Sequence, residues 1–146
     1  MKPLLSPYLQ RMRIKAVIPY VFGDVLDLGC GATDLAQFVG MSNHYVGVDR
    51  DENLLQYNRV KFPMYEFYNK DLETNDITTS LAIRFDTICM VAVIEHIKNP
   101  QNILEQCATL LKSGGRLVIT TPTPFGDNVH KICARYGVTS KEAVWV

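Results

Sequence analysis

Apolar positions fall into two rhythms that alternate along the chain. Short, nearly continuous apolar runs mark strands buried on both faces, and apolar residues three or four apart mark the helices between them. Ser6-Pro7 is a helix start, with Ser as N-cap and Pro at the first position, and Leu9, Met12, Ala16 and Tyr20 carry an amphipathic helix over about 6–21. Pro19 is expected to fray or kink its last turn. Gly23-Asp24 breaks into a first strand from Val25 to Leu28, followed by a glycine turn and a short helix over about 34–41. Tyr45-Val46-Gly47-Val48 is a second strand ending at Asp49, and Asp51 caps a helix carrying Leu54, Leu55 and Tyr57. A third strand falls around 64–68 and ends near Asn69-Lys70-Asp71, while the polar segment 72–84 reads as loop with one helical turn at most.

The strongest strand is Phe85-Asp86-Thr87-Ile88-Cys89-Met90-Val91-Ala92. Asn99-Pro100 repeats the cap-plus-Pro signal, and Ile103, Leu104, Cys107, Leu110 and Leu111 mark a helix that Ser113-Gly114-Gly115 stops. A fifth strand over 116–121 is broken by Pro122 and Pro124, and a last helix is expected near 128–136. This alternation predicts an α/β fold with an open, doubly wound, mostly parallel sheet covered on both faces. Ligands of such sheets bind beyond the carboxyl ends of the strands, where the strand order reverses. Asp27, Asp49, Asp71 and the segment 92–96 all fall at or near such ends.

Composition narrows the classes. At 146 residues, 47% hydrophobic and 21% charged, the chain has the size and make-up of one globular domain. Fifteen basic residues balance fifteen acidic ones, which removes the footprint of a general nucleic-acid binder. Cys30, Cys89, Cys107 and Cys133 form no Cys-x-x-Cys pair and three sit in apolar segments, so they read as buried free thiols of a reducing compartment. No apolar run approaches the ~20 residues of a membrane span, and no signal-peptide pattern appears, so a cytoplasmic protein is expected.

The chemistry centres on Val25-Leu26-Asp27-Leu28-Gly29-Cys30-Gly31-Ala32-Thr33-Asp34, a strand ending in an acid and then two glycines one residue apart. A dinucleotide site would show G-x-G-x-x-G, but here the third position is Asp34, and Asp27 stands where a diphosphate would approach. Asp49, twenty residues after Gly29, is at the usual distance for an acid that binds ribose hydroxyls.

With these motifs the sequence resembles the class I S-adenosylmethionine-dependent methyltransferases. Residues 25–34 look like their first motif, Gly47-Val48-Asp49 their second, and Asn69-Lys70-Asp71-Leu72 the adenine-binding segment after the third strand. Residues 85–96 resemble the fourth motif and 110–122 the fifth, so the likeness covers about two thirds of the chain. It implies the Rossmann-like methyltransferase fold with strand order 3-2-1-4-5. It also implies S-adenosylmethionine as cofactor, S-adenosylhomocysteine as product and a small-molecule methyl acceptor.

On that resemblance Gly29, Cys30 and Gly31 border the methionine and ribose portions, with Asp27 near the amino group. Asp49, beside Arg50, accepts from the ribose hydroxyls, Asp71 accepts from the adenine amino group with Leu72 packing nearby, and Val91 and Ala92 border the sulfonium arm. The Cys30 side chain reads as a packing residue. Glu95 and His96 have two readings: a catalytic pair, His being a general base near neutral pH, or a pair that fixes the next loop. Ala92 takes the place of the first acid of a metal-using subgroup, so no metal is expected. His130 is a second catalytic candidate whose plain reading is a loop histidine; Tyr8, Tyr20, Tyr65, Phe67 and Tyr68 read as core and strand residues.

The resemblance divides the chain into an N-terminal helix (1–23), a cofactor-binding core (24–124) and a tail (125–146) within one domain. Members of the family continue into two more strands, so the chain reads as C-terminally truncated and its fifth strand as an edge. A longer parent enzyme, a second copy or partner subunit over that edge, or the tail folding across it would each explain this. Beside the enzyme reading stands a cofactor-binding module or inactive truncated domain that works through a partner. A nicotinamide-dependent oxidoreductase is the third reading, and the missing third glycine speaks against it.

Overall fold

A computed structural model describes residues 6–32, 34–121 and 123–136, without the side chains of 6, 123–127 and 130. Five strands, β1 (Val25–Leu28), β2 (Tyr45–Asp49), β3 (Glu66–Asn69), β4 (Phe85–Val91) and β5 (Leu111–Thr120), form one sheet in the order β3-β2-β1-β4-β5. Every pairing is parallel. The helices are α1 (Ser6–Val17), α2 (Glu52–Lys61), α3 (Pro100–Leu110) and α4 (Thr123–Arg135).

Neighbouring residues of each central strand point to opposite faces, and both faces are buried. Leu26, Leu28, Ile88 and Met90 meet Ile103, Leu104 and Cys107 of α3 and Val129 and Cys133 of α4. Val25, Tyr45, Cys89 and Val91 meet Ile14 and Val17 of α1, Leu35, Ala36 and Leu55 on the other side. This two-sided burial is why the strands read as continuous apolar runs. The fold is the expected doubly wound α/β sheet with order 3-2-1-4-5.

Several local expectations shift. The first helix ends at Val17 and a 3-10 turn over Ile18–Tyr20 carries Pro19; the buried residues of its face are Ile14 and Val17, whereas Met12 and Tyr8 are exposed. The segment after the glycine turn forms only a 3-10 turn, Ala36–Phe38, because Gly40 closes a window too short to repay helix nucleation. Segment 72–84 contains no helix. The helix α3 stops at Leu110 and β5 begins at once, so Gly114-Gly115 lies inside an irregular strand start where the register against β4 shifts between Phe85 and Thr87. At that end of the sheet Lys112 Nζ bridges Asp24 (2.8 Å) and Asp86 (2.9 Å). These contacts lower both carboxyl pKa values and raise that of the ammonium. The last helix starts at Thr123, earlier than 128. The expected features at 137–146 lie outside the described residues.

Candidate functional site

Strand order reverses between β1 and β4, so the loops leaving these two strands diverge from a shared point. The β1 exit is a left-handed turn, with φ +74° at Gly29 and +53° at Gly31. The two glycines serve different needs. A Cβ on Gly29 would lie 2.4 Å from Val93 Cγ2, so Gly29 lets the β4 exit pack against the β1 exit. A Cβ on Gly31 would meet nothing within 4 Å, which leaves the turn open on that side.

Hydrogen bonds hold this turn to β2. Gly29 N and Cys30 N both donate to Val48 O, at 2.7 and 3.0 Å, and Gly31 N donates to Asp49 Oδ2 at 2.8 Å. Asp49 Oδ1 accepts from Asp51 N at 2.9 Å, and Asp51 Oδ1 in turn caps α2 through Asn53 N and Leu54 N. The main-chain oxygen of Asp49 accepts from Lys70 N, and Asn69 Nδ2 donates to both Asp49 O and Arg50 O. The exits of β1, β2 and β3 are thus tied together through Asp49.

Asp71, two residues past β3, closes a turn, its Oδ1 accepting from Glu73 N at 2.9 Å and its N–H donating to Asn75 Oδ1 at 2.8 Å. Leu72 packs against the core beside it. Asp27 is buried at 4% exposure, where its Oδ2 accepts from the Tyr45 hydroxyl at 2.6 Å. Cys30 is buried too; burial first, then the carboxylates of Asp27 and Asp49, pushes its thiol well up, so the sulfur stays protonated and inert. All four cysteines are free and buried.

The β4 exit is built differently. Val91 is buried, and Ala92 adopts φ 54°, the left-handed conformation without glycine's freedom. It is held there by bonds from Ala92 N to Thr120 O (3.1 Å) and Thr120 Oγ1 (3.0 Å). Ile94–His96 then form a 3-10 turn in which His96 is exposed. Two side-chain oxygens in this region, Glu95 Oε2 and Thr121 Oγ1, are buried and accept no hydrogen bond. Among the described residues no group of three or more His, Cys, Asp or Glu is placed to hold a metal ion, and no helix is long and apolar enough to cross a membrane. The side chain of His130 lies outside the described residues.

With this geometry in place, a methyltransferase-domain family profile matches residues 23–144. The chain belongs to the class I S-adenosylmethionine-dependent methyltransferases. Among curated relatives, the ubiquinone biosynthesis O-methyltransferase of Coxiella burnetii is 33% identical over 99 residues, covering 66% of this chain and 42% of the relative. The chain therefore spans less than half the length of that methyltransferase. Two solved structures share the fold: a TehB-like methyltransferase from Corynebacterium glutamicum (20% identity, TM-score 0.66, 88% of this chain and 80% of that one) and the N-methyltransferase NodS from Bradyrhizobium japonicum, solved with S-adenosylhomocysteine (16%, 0.62, 77% and 61%).

In this methyltransferase domain the structure brings Gly29, Gly31, Asp49 and Arg50 to one rim, sets Asp71 and Leu72 next to it through β3, and places Val91 and Ala92 across the switch point. Glu95 and His96 sit one turn further on. Asn58 was not anticipated. It is fully buried on α2, and its Nδ2 donates to Gly31 O at 2.6 Å, gripping the open glycine from below. A lone amide in the apolar stripe between Leu55 and Phe62 was the available signal.

Proposed function

We propose that this domain binds S-adenosylmethionine over the Gly29–Gly31 turn and transfers its methyl group to a small-molecule acceptor, releasing S-adenosylhomocysteine. One observation carries the reading: a glycine turn with no side chain over Gly31 is locked at 2.8 Å to a strand-end carboxylate, Asp49. That pairing suits a nucleoside with free ribose hydroxyls, because a carboxylate accepts well from paired hydroxyls, while Asp27 and the missing third glycine speak against a diphosphate.

In this reading Asp49, with Arg50 beside it, holds the ribose, and the carboxylate needs only its remaining lone pairs for the ligand. Gly31 and the main chain of Cys30 border the sugar and methionine portions, with Asp27 beneath them. Asp71 accepts from the adenine amino group, and Leu72 gives its ring an apolar neighbour. Val91 and Ala92 flank the sulfonium arm. When bound, S-adenosylmethionine supplies a methyl on a positively charged sulfur, and the carbon–sulfur bond breaks with its electron pair returning to sulfur as the acceptor's lone pair bonds. The chain's main task is then alignment, which supplies about 7–11 kcal/mol of a barrier in favourable cases. In the same reading Glu95 and His96, on the turn after β4, receive the proton shed by an O–H or N–H acceptor.

The same proposal takes residues 1–146 as one cofactor-binding domain, acting in the cytoplasm, with a second copy or partner subunit over the β5 edge. Calorimetry with S-adenosylhomocysteine tests its base. Saturable heat that disappears in Asp49→Ala supports it; no heat and no thermal shift from the folded protein sinks it. Methyl transfer from labelled S-adenosylmethionine to an acceptor panel tests turnover, and binding without transfer would favour the module reading.

A further inference from the structure

Between the 3-10 turn after β4 and the helix α4 runs an open groove of about 650 Å³. Its floor is apolar, with Ile97 and Val129 buried and Ile132 half-buried. Lys98 lines one wall and Lys131 the other, and among the described residues neither makes an ion pair. Lys98 is also fixed in place through its main chain, which donates to Glu73 Oε1 at 2.6 Å. Glu95 completes the wall nearest the switch point, with Oε2 shielded from water and accepting nothing.

Each feature asks for a complement. A buried carboxylate oxygen left without a donor costs about 1–3 kcal/mol, so native chains keep one where something else supplies the hydrogen. Two ammonium groups that line one groove without an ion pair leave it with a cationic excess over the single Glu95 carboxylate, which an anion would offset. Glu95 of the groove lies two residues past Val93, whose Cγ2 stands 2.4 Å from where a Cβ on Gly29 would be, so the groove opens on the same β4 exit that packs against the glycine turn.

We propose that this groove is the methyl-acceptor site and that it selects a compact, apolar-bodied molecule with an anionic group between Lys98 and Lys131 and a hydroxyl or amine donor facing Glu95. The inference rests on the cofactor reading above, and the experiment separates the two. Protein saturated with S-adenosylhomocysteine is titrated with 4-hydroxyphenylacetate, with its neutral amide, and with 4-methoxyphenylacetate, while the methyl signals of Ile97 and Ile132 are followed by NMR.

The acid is expected to bind about fivefold more tightly than the amide, the size of effect that two partly exposed charge contacts give. Lys98→Gln with Lys131→Gln is expected to erase that preference while S-adenosylhomocysteine affinity stays within about twofold. Glu95→Met is expected to remove the advantage of hydroxyl over methoxy, and a thermal midpoint level with or above the parent's will show that the turn still folds. Equal binding of acid and amide, a preference that survives the double lysine variant, or shifts that map away from Ile97 and Ile132 overturns the proposal while leaving cofactor binding intact. Absence of S-adenosylhomocysteine binding overturns the cofactor reading, and this proposal with it.

Discussion

Where β1, β2 and β3 end, the polar groups of the loops are answered from within the chain; where β4 and β5 end, several are not. On the first side Asp49 alone accepts from Gly31 N, Asp51 N, Lys70 N and Asn69 Nδ2. On the second, Glu95 Oε2 and Thr121 Oγ1 are buried and unanswered, and Ala92 holds a left-handed φ of 54° that glycine holds at Gly29 and Gly31. The first side has an orphan of its own in Asn58 Oδ1, although the same amide's Nδ2 is engaged. The contrast teaches that the ends of β1, β2 and β3 are preorganised, while the ends of β4 and β5 hold unsatisfied polarity and a strained backbone; under the proposed function these are the cofactor and acceptor halves of the site.

The sharpest break of the comparison is on the preorganised side. Asp49→Ala removes an acceptor that two loops share, so S-adenosylhomocysteine affinity is expected to fall at least about a hundredfold, the loss of two charge-assisted hydrogen bonds. Melting should drop as well, since Gly31 N and Asp51 N lose their partner. Calorimetry and thermal denaturation read the two effects separately, and retained affinity would show that Asp49 is only a loop tie.

Next in size is a pair at the glycines. Gly29→Ala combines left-handed strain with overlap against Val93 at 2.4 Å, and a loss of about 3–4 kcal/mol is expected. Gly31→Ala carries only the strain, about 1–2 kcal/mol, because no atom lies within 4 Å of the new methyl. Adding Val93→Ala should couple favourably with Gly29→Ala by about 1–2 kcal/mol and leave Gly31→Ala unaffected in a double-mutant cycle. Equal costs at the two glycines would erase the distinction between packing glycine and open glycine.

These contrasts also mark what the sequence could tell. The strands, the glycine turn and the place of Asp49 at a strand end were legible because each is written locally: an apolar run, then a residue type that only one backbone conformation or one chemistry requires. The strand order followed only from the family resemblance. The interior grip of Asn58 on Gly31 was not, since it joins residues 27 positions apart and its only trace is one amide in an apolar stripe. Nor was the different duty of the two glycines, which depends on Val93 reaching back from another strand. The helix expected over 34–41 failed for an energetic reason: its apolar spacing is right, but Gly40 ends it before enough hydrogen bonds form. The groove beside Glu95 was invisible because α4 supplies half of it.

Asn58→Leu tests the grip with a smaller expected effect. It removes one made hydrogen bond and one orphan acceptor together, so stability should change by less than about 1 kcal/mol while S-adenosylhomocysteine affinity falls about tenfold. An unchanged affinity would reduce Asn58 to a packing residue.

The opposite end of the sheet supplies a control. Asp24 and Asp86 have lowered pKa values, first because Lys112 bonds to them, and Lys112 has a raised one, first because of Asp24. A carboxylate depressed in the folded state contributes stability above its unfolded pKa near 3.8 and loses it as pH falls further; the raised ammonium contributes below 10.5 and loses it as pH rises past that value. Lys112→Met should therefore trail the parent in stability between those limits and converge with it outside them. The gap is expected to be small because the groups are partly exposed, and cofactor affinity should not move.

The smallest effect on stability is expected where β4 and β5 end, and it discriminates best. Thr121 is 2% exposed and its hydroxyl has no partner, so Thr121→Val keeps the shape and deletes an unsatisfied group. Folding stability should stay level or rise by up to about 1 kcal/mol, because the buried hydroxyl is a liability in the free protein. Its neighbour behaves oppositely: Thr120 Oγ1 accepts from Ala92 N, so Thr120→Val should lower stability by about 1 kcal/mol. If the hydroxyl of Thr121 is retained for a ligand, methyl transfer in Thr121→Val falls while the melting temperature does not. A fall in both would mean that the hydroxyl is satisfied in the free protein, and the contrast between the two ends of the site would narrow to Ala92 and Glu95.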